Sequence, residues 1–318
     1  MSTSWAAFTP PRPRCAVVWR SVVINQPAKL KREHFALVVE QEQSARVPFE
    51  DIAVIVLNHR EITLTHPVLS ACADYGIGLY STGDNHQPNG VFMPFLPHSR
   101  ATRMQRLQLQ LDKPSTKRAW AAIVRAKIAN QARCIELLGR SGADRLHSYV
   151  RRVRSGDAGN LEAQASSYYF PQVFGRSFHR SQPGWVNAAL DYGYAVMRGA
   201  CARALVQHGM LPSFGLFHSS EQNAFNLADD LIEPYRPVVD LHVAHQSARP
   251  DDAELQPADK VALIGLLNVD VAMPRGRMSV LASIEQAAEA LARLYDGGSE
   301  QALELPDLIG LVQHTFEM

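Results

Sequence analysis

From Cys15 to about Phe95 the apolar residues come in short runs: AVVWRSVVIN (16–25), FALVVEQ (35–41), VPFEDIAVIVL (47–57) and GIGLYST (76–82). The runs are rich in β-branched and aromatic residues and are separated by turn formers, so they read as strands. One helical segment interrupts them, Thr65–Tyr75, with Thr65 or His66 as cap and Pro67 in its first turn. This pattern predicts a small β-sandwich domain with one helix over residues 15–97, closed by the glycine and two prolines of NGVFMPFLP (89–97). After His98 the apolar spacing changes to three and four. Helices are expected over Arg100–Leu111, Lys117–Leu138, a short segment through Val153, Asp157–Phe174 and Val186–His208, the last stopped at Gly209. A further helix holds Asp230 and Glu233 and stops at Pro237, followed by Leu255–Leu267, Val280–Tyr295 and Pro306–Phe316. The chain is thus expected to be α+β, with an all-α domain over residues 98–318. The opening MSTSWAAFTPPRPR (1–14), with three prolines and little periodicity, predicts a flexible tail.

Composition adds little, but the distribution of charge adds much. With 46% hydrophobic and 20% charged residues the chain is an ordinary globular one, and 318 residues suffice for two cores. The net charge of +1 hides an asymmetry. Between Arg100 and Arg154 fourteen Lys/Arg face three acids, while from Glu221 to Met318 six basic residues face seventeen acids. Such a block points to a polyanion, although a charge block can also be only a solvated helix face. The four cysteines (Cys15, Cys72, Cys134, Cys201) include no CxxC pair, which argues against a zinc ribbon or disulfide framework and fits a reducing cytoplasm. Each is expected to be a small buried hydrophobe. No apolar run reaches membrane-spanning length, and no signal-peptide pattern opens the chain.

The stretch GLFHSSEQNAFNLADDLIEPYRPVVD (215–240) carries the densest chemistry. His218 sits in a turn, and Asp229, Asp230 and Glu233 follow on a helix, three and four residues apart and therefore neighbours on its surface. Only Arg236 relieves their repulsion locally. Imidazole plus carboxylates suits Mg²⁺, Mn²⁺ or Zn²⁺. The same cluster is also what a solvated helix start looks like. Glu162, in GNLEAQASSYYFPQVFG (159–175), is followed by the small Ala163, Ala165, Ser166 and Ser167, which let a helix or substrate approach the carboxylate. Alone it is an ordinary surface glutamate.

Taken together, Glu162 in its E-A-x-A-S context, NAALDYGYAVMRG (187–199), GLFH (215–218) and NLADDLIEPYRPVVD (226–240) resemble one family, the CRISPR-associated adaptation integrases, family one of the CRISPR-associated proteins. The run RSVVINQPAKLKREH and the stretch VPFEDIAVIVLNHREITLTHPVLSACADYGIGLY are similar to its β-domain, so the resemblance spans roughly Val17 to Asp240. The fifteen-residue step from His218 to Glu233 looks like the branch that accompanies Cas9-type (type II) systems.

The resemblance implies an N-terminal β-domain used for homodimerisation and a C-terminal metal-binding α-helical domain. The ligands it implies are Glu162, His218 and Glu233, which would also be the catalytic residues, with Mg²⁺ or Mn²⁺ as cofactor and Asp230 in support. Many members carry aspartate at the last ligand position; glutamate lengthens that arm and keeps the oxygen donor. The implied activity is integration of short protospacer DNA into a CRISPR array by 3′-hydroxyl transesterification, with endonuclease activity on branched DNA beside it. The implied partners are double-stranded and branched DNA, a second copy of the chain, and a dimer of the small ferredoxin-like adaptation protein (CRISPR-associated family two). Arg100, Arg103, Arg106, Lys117, Arg118, Arg125 and Lys127 are expected to track phosphates, and Arg151, Arg152 and Arg154 to hold a strand near the metal. Tyr168 and Tyr169 are expected to stack on a base or, for at least one, to be core aromatics. His242 and His245 read as surface or structural histidines. Two alternatives stay open: a structure-specific nuclease for branched DNA without integration, and an inert DNA-binding scaffold. A zinc hydrolase is disfavoured because no HExxH pair is present.

Overall fold

The computed structural model describes residues 20–83, 88–94, 98–249, 253–299 and 303–315. The expected tail at 1–14, Cys15 and the start of the first apolar run lie outside the described residues. The N-terminal part contains β1 (Arg20–Ile24), β2 (Ala28–Glu33), β3 (Ala36–Glu40), β4 (Ala45–Pro48), β5 (Ile52–Leu57), β6 (Ile62–Leu64), α1 (His66–Tyr75), β7 (Gly78–Thr82) and β8 (Pro88–Phe92). They form two four-stranded sheets, ordered β1-β5-β7-β8 and β4-β3-β2-β6. Strands β1, β5 and β7 are parallel, and β8 joins antiparallel. Twice as many strands form as the apolar runs suggest. In β2, AKLKRE, charged residues mask the alternation that buries Ala28 and Leu30 while exposing Lys29. The run 47–57 is divided by a 3₁₀ turn at Phe49–Asp51.

One face of the first sheet meets the second sheet and α1 in a core that includes Leu30, Leu37, Phe49, Ile55, Val68, Ile77 and Leu79. The alternate residues of the same strands, Val54 and Val56 of β5 and Tyr80 of β7, enter the core of the helical part. The two-residue period of a strand thus divides one sheet between two cores. A second tie is polar. Gly76 closes α1 in the left-handed conformation (φ +69°), which a glycine adopts without strain, and its carbonyl accepts from Arg203 Nε at 2.8 Å and Gln207 Nε2 at 2.6 Å.

The remainder comprises α2 (Ala101–Gln110), α3 (Lys113–Leu137), α4 (Ala143–Arg152), α5 (Leu161–Phe174), α6 (Trp185–Gln207), α7 (Asn226–Leu231), α8 (Arg236–His245), α9 (Pro257–Gly265), β9 (Val269–Met273), β10 (Gly276–Ser279), α10 (Val280–Tyr295) and β11 (Asp307–Gln313). Helices α3 and α6 form its centre; α6 buries residues around its whole circumference from Trp185 to Leu205. Three expectations need correction. The C-terminal part is predominantly helical but not all-α, because β10-β9-β11 form an antiparallel sheet. The segment 306–316, expected as a helix, supplies β11: its apolar run is short, Gly310 has a positive φ of 131°, and β9 offers an alternating partner face. Pro237 also does not stop a helix. It stands in the first turn of α8, where its missing N–H costs nothing, and a 3₁₀ turn at Glu233–Tyr235 separates α7 from α8.

Cys72, Cys134 and Cys201 are buried and free, as expected, and burial pushes the Cys72 thiol up to about 12. Among the described residues no helix is long and apolar enough to cross a membrane.

Candidate active site

Two separate pieces of chain converge on α3. The first is the start of α5. Residues 156–160 turn sharply, with positive φ at Gly156, Asp157 and Asn160, so that the Asp157 carboxylate receives the first amides of the helix: Leu161 N on Oδ1 and Glu162 N on Oδ2, both at 2.9 Å. An anion there suits the unpaired amides and dipole of a helix start. Glu162 is thereby fixed by its own backbone one residue into α5. Its Oε1 accepts from Ser166 Oγ at 3.2 Å and from the ammonium of Lys127 on α3. The small Ala165, fully buried, lets α5 lie close to its neighbours.

The second piece is the 215–236 segment. Asp230, with 0% exposure, gathers the GLFH turn by accepting from Leu216 N (2.5 Å), Phe217 N (3.1 Å), His218 N (3.2 Å) and His218 Nδ1 (2.7 Å). No side chain fits at Gly215, where a Cβ would stand 2.3 Å from the His218 carbonyl oxygen and 2.7 Å from Asp230 Oδ2. Burial pushes the Asp230 carboxyl above the usual carboxylate range, against the pull of its hydrogen bonds with His218 and the Phe217 amide. The Asp230 hydrogen bond in turn raises the imidazole of His218, and the charge of Glu233 raises it further. Because Nδ1 is committed to Asp230, Nε2 is the nitrogen available to a ligand.

Glu233 is 5% exposed, in the 3₁₀ turn between α7 and α8. Arg236 Nε reaches its Oε1 at 3.0 Å, and the Lys127 ammonium pairs with Oε2. Burial would raise this carboxyl, but Arg236 and Lys127 prevail and hold it down at about 2. It is therefore ionised at every working pH.

The structure thus brings Glu162 and Glu233 to a common cation, and that cation is a lysine side chain. This corrects the expectation for Lys127. It does not track phosphates on a surface; it is 6% exposed and faces the two carboxylates. Among the described residues, no cluster of three or more His, Cys, Asp or Glu stands ready-made to hold a metal ion. The donors themselves fit Mg²⁺ or Mn²⁺: two carboxylates sharing one lysine charge, and an imidazole with one nitrogen committed. Asp229 lies apart, paired with Arg198 Nε at 2.7 Å and Asn223 Nδ2 at 2.6 Å.

The other basic candidates are exposed. Arg151, Arg152 and Arg154 line a cavity of about 430 Å³ that reaches Leu161, next to Glu162. Lys117 lies over Gly156, and Arg125 Nη1 donates to the Val153 carbonyl at 3.2 Å, so both flank that mouth. Arg118 donates to Ser115 Oγ at 2.9 Å. Arg100, Arg103 and Arg106 are carried by α2 and its cap, and Arg103 is already paired with Asp296 at 2.5 Å. Of the two tyrosines, Tyr169 is a core residue whose hydroxyl donates to Asp240 at 3.0 Å, and Tyr168 is half-buried under the Arg145 guanidinium, 4.5 Å from its ring centre. His242 meets Gln246 Nε2 at 3.0 Å, away from the site, as a structural histidine would. Phe217 was not anticipated: 55% exposed beside His218, it lies parallel to Trp120 with ring centres 4.5 Å apart.

A family model described as "CRISPR associated protein Cas1" matches residues 21–251. The CRISPR-associated endonuclease Cas1 of Neisseria meningitidis serogroup C is 40% identical over 304 residues, 95% of this chain and 100% of the relative. Among solved structures, a casposase bound to integration product is similar with a TM-score of 0.72 at 17% identity, covering 87% of this chain and 91% of that one. A Cas6-RT-Cas1–Cas2 complex is similar with a TM-score of 0.68 at 16% identity, over 93% of this chain and 37% of the other. The protein is a CRISPR-associated endonuclease. The chain belongs to the Cas1 family.

Proposed function

We propose that Glu162, His218 and Glu233 together hold one divalent cation, Mg²⁺ or Mn²⁺, and that the chain uses it to insert short DNA into a CRISPR array. When bound, such an ion polarises a phosphoryl oxygen and stabilises charge on the entering and leaving oxygens of an in-line displacement. The chain's own residues do the rest. Asp230 holds the GLFH turn and fixes the His218 ring by its Nδ1 hydrogen bond. Arg236 keeps Glu233 ionised. Arg151, Arg152 and Arg154 receive the phosphates of the strand that enters beside Glu162. The attacking group is the 3′-hydroxyl of the incoming DNA, whose oxygen forms the new phosphodiester as the 3′-oxygen of the target departs; water in its place gives hydrolysis of branched DNA.

The observation that carries this reading is the convergence of two carboxylates, from α5 and from the turn after α7, on one positive point beside a three-arginine cavity. Partners follow from kinship. A chain of this fold stands in a complex with Cas2 and another is bound to an integration product, which supports DNA and a Cas2-like dimer as partners here. We assign the dimer contact to the β-sandwich, where Phe35 is 73% exposed at the β2–β3 turn, take 97/98 as the boundary of that unit, and place the reaction in the cytoplasm.

The test is strand transfer of a labelled DNA bearing a 3′-hydroxyl into a leader–repeat target with Mn²⁺ present. His218→Ala or Glu233→Ala is expected to lower transfer about 10³-fold or more, while salt-sensitive DNA binding persists. Transfer retained by either variant would defeat the ligand assignment. Hydrolysis of branched DNA without any transfer would leave a nuclease alone. Binding with neither reaction in the parent protein would leave a scaffold.

A further inference from the structure

We infer that Lys127 is a built-in counter-cation of the active site, which competes with the divalent ion and makes its binding depend on DNA. The inference rests on the ligand assignment just proposed.

Lys127 lies mid-way along α3, with the buried Ile123 and Val124 one turn before it and the buried Asn130 and Gln131 one turn after. Its ammonium has the Glu162 carboxylate on one side and that of Glu233 on the other. The charged groups around it come from three elements: Glu162 from α5, Glu233 from the turn after α7, and Arg236 and, farther off, Asp240 from α8. A buried lysine is costly, and this one is offset by ion pairs with the two side chains assigned to the metal. Two cations sharing one carboxylate oxygen stand no farther apart than the sum of their contact distances, about 5 Å. In a site as buried as Glu233, repulsion at that separation is little screened.

The ammonium and a divalent ion therefore compete for the same oxygens. Without substrate, Lys127 neutralises the carboxylates and holds α3, α5 and α8 together. A phosphodiester entering past the arginine cavity brings negative charge to the mouth of the site and offers the ammonium another partner. The carboxylates are then free for the ion. Metal and DNA should thus bind with strong positive coupling, and an idle site should hold metal poorly. The consequence is functional: cleavage chemistry is assembled only on a captured strand.

The experiment measures Mn²⁺ affinity of DNA-free protein, by calorimetry and by the spin-resonance signal of free Mn²⁺, for the parent, Lys127→Met and Lys127→Gln. Both variants should bind Mn²⁺ about tenfold or more tighter than the parent. The gain in Mn²⁺ affinity on adding DNA should shrink by a similar factor. Since Lys127→Met leaves two carboxylates facing each other, Mn²⁺ should also raise its melting temperature by more than the parent's. Lys127→Gln keeps a donor between them and provides the folded comparison. Unchanged or weaker Mn²⁺ binding in both variants overturns the inference, provided Glu162→Gln and Glu233→Gln still weaken it in the parent. If those two substitutions leave Mn²⁺ binding untouched, the ligand assignment itself has failed.

Discussion

Two buried clusters of opposite charges join the helices of this protein, and they are built differently. In one, Arg203 of α6, 1% exposed, donates from Nε to the Gly76 carbonyl and pairs through Nη1 with Glu285 of α10, while His208 stands 3.7 Å from the other Glu285 oxygen. Its cation is fixed by backbone as well as by charge, and burial, which would raise Glu285, loses to the Arg203 charge that lowers it. In the other, the Lys127 ammonium meets only the carboxylates of Glu162 and Glu233. The cation of the first cluster is tied to the backbone that closes α1 and serves to join elements. The second is arranged so that its cation can be exchanged. What separates a structural ion cluster from a reactive one here is what holds the cation: backbone as well as charge in the first, carboxylates alone in the second.

The comparison breaks most sharply at Arg203. Arg203→Met removes a buried cation and leaves Glu285 and the Gly76 carbonyl short of a donor, so unfolding stability should fall by about 3–5 kcal/mol. Mn²⁺ affinity of the molecules that remain folded should not change. Urea unfolding read alongside Mn²⁺ calorimetry checks both. A matching loss of metal affinity would mean that the two clusters are one network.

Asp230 tests the second cluster from the side. Asp230→Asn puts an amide N–H₂ against amides that now donate to a carboxylate, Leu216 and Phe217 among them. A loss of stability of about 1–3 kcal/mol should follow. With a neutral amide in place of the carboxylate at its Nδ1, His218 should lose metal affinity about 10- to 100-fold, the usual effect of weakening the group that orients a ligand. Equal Mn²⁺ affinity in the variant would show that the Asp230 contact serves only the turn.

The reactive cluster was legible only in part. His218, Asp230 and Glu233 lie in one short stretch, so their chemistry shows in the spacing, and α10 was expected over Val280–Tyr295, where it forms. Glu162 is 56 residues before His218, and no periodicity links them; family resemblance alone pointed to it. The charge block from Arg100 to Arg154 hides Lys127, because every base in such a block looks like a surface residue. A signal was available: Trp120, Val124, Lys127, Gln131 and Cys134 repeat at spacings of four and three, and all five are buried. A lysine in register with a buried stripe must have a counter-charge inside the fold. The turn that presents Glu162 was equally hidden, since positive φ at Asp157 and Asn160 leaves no mark on the hydrophobic pattern. Strand β11 failed for the opposite reason: LIGLV is apolar in either conformation, and only its partner β9 decides.

A further buried carboxylate provides the mildest test. Asp240 of α8 is 1% exposed and accepts from Tyr169 at 3.0 Å and from the Tyr194 hydroxyl. Desolvation raises its pKa to about 6, and the two hydroxyls and the charges of Arg236 and Lys127 only moderate the rise. The sign of the linkage follows. Between the unfolded value near 4 and about 6 the native state holds the proton more tightly, so stability is greatest below that window and is lost as pH rises through it. The loss amounts to about 2–3 kcal/mol, by the conversion of a shift of roughly two units. Asp240→Asn cannot ionise, so its melting temperature should fall less than the parent's between pH 4 and 6, and the two curves should run parallel above. Glu233 carries the opposite sign, because its cations depress it and its contribution is lost only as pH falls towards 2. Two carboxylates of equal burial on adjoining turns thus respond to acid in opposite directions, according to whether hydroxyls or cations face them. If Asp240→Asn titrates with the parent's slope, the carboxyl is ionised throughout, and the charges of Lys127 and Arg236 reach one helical turn farther than their contacts indicate.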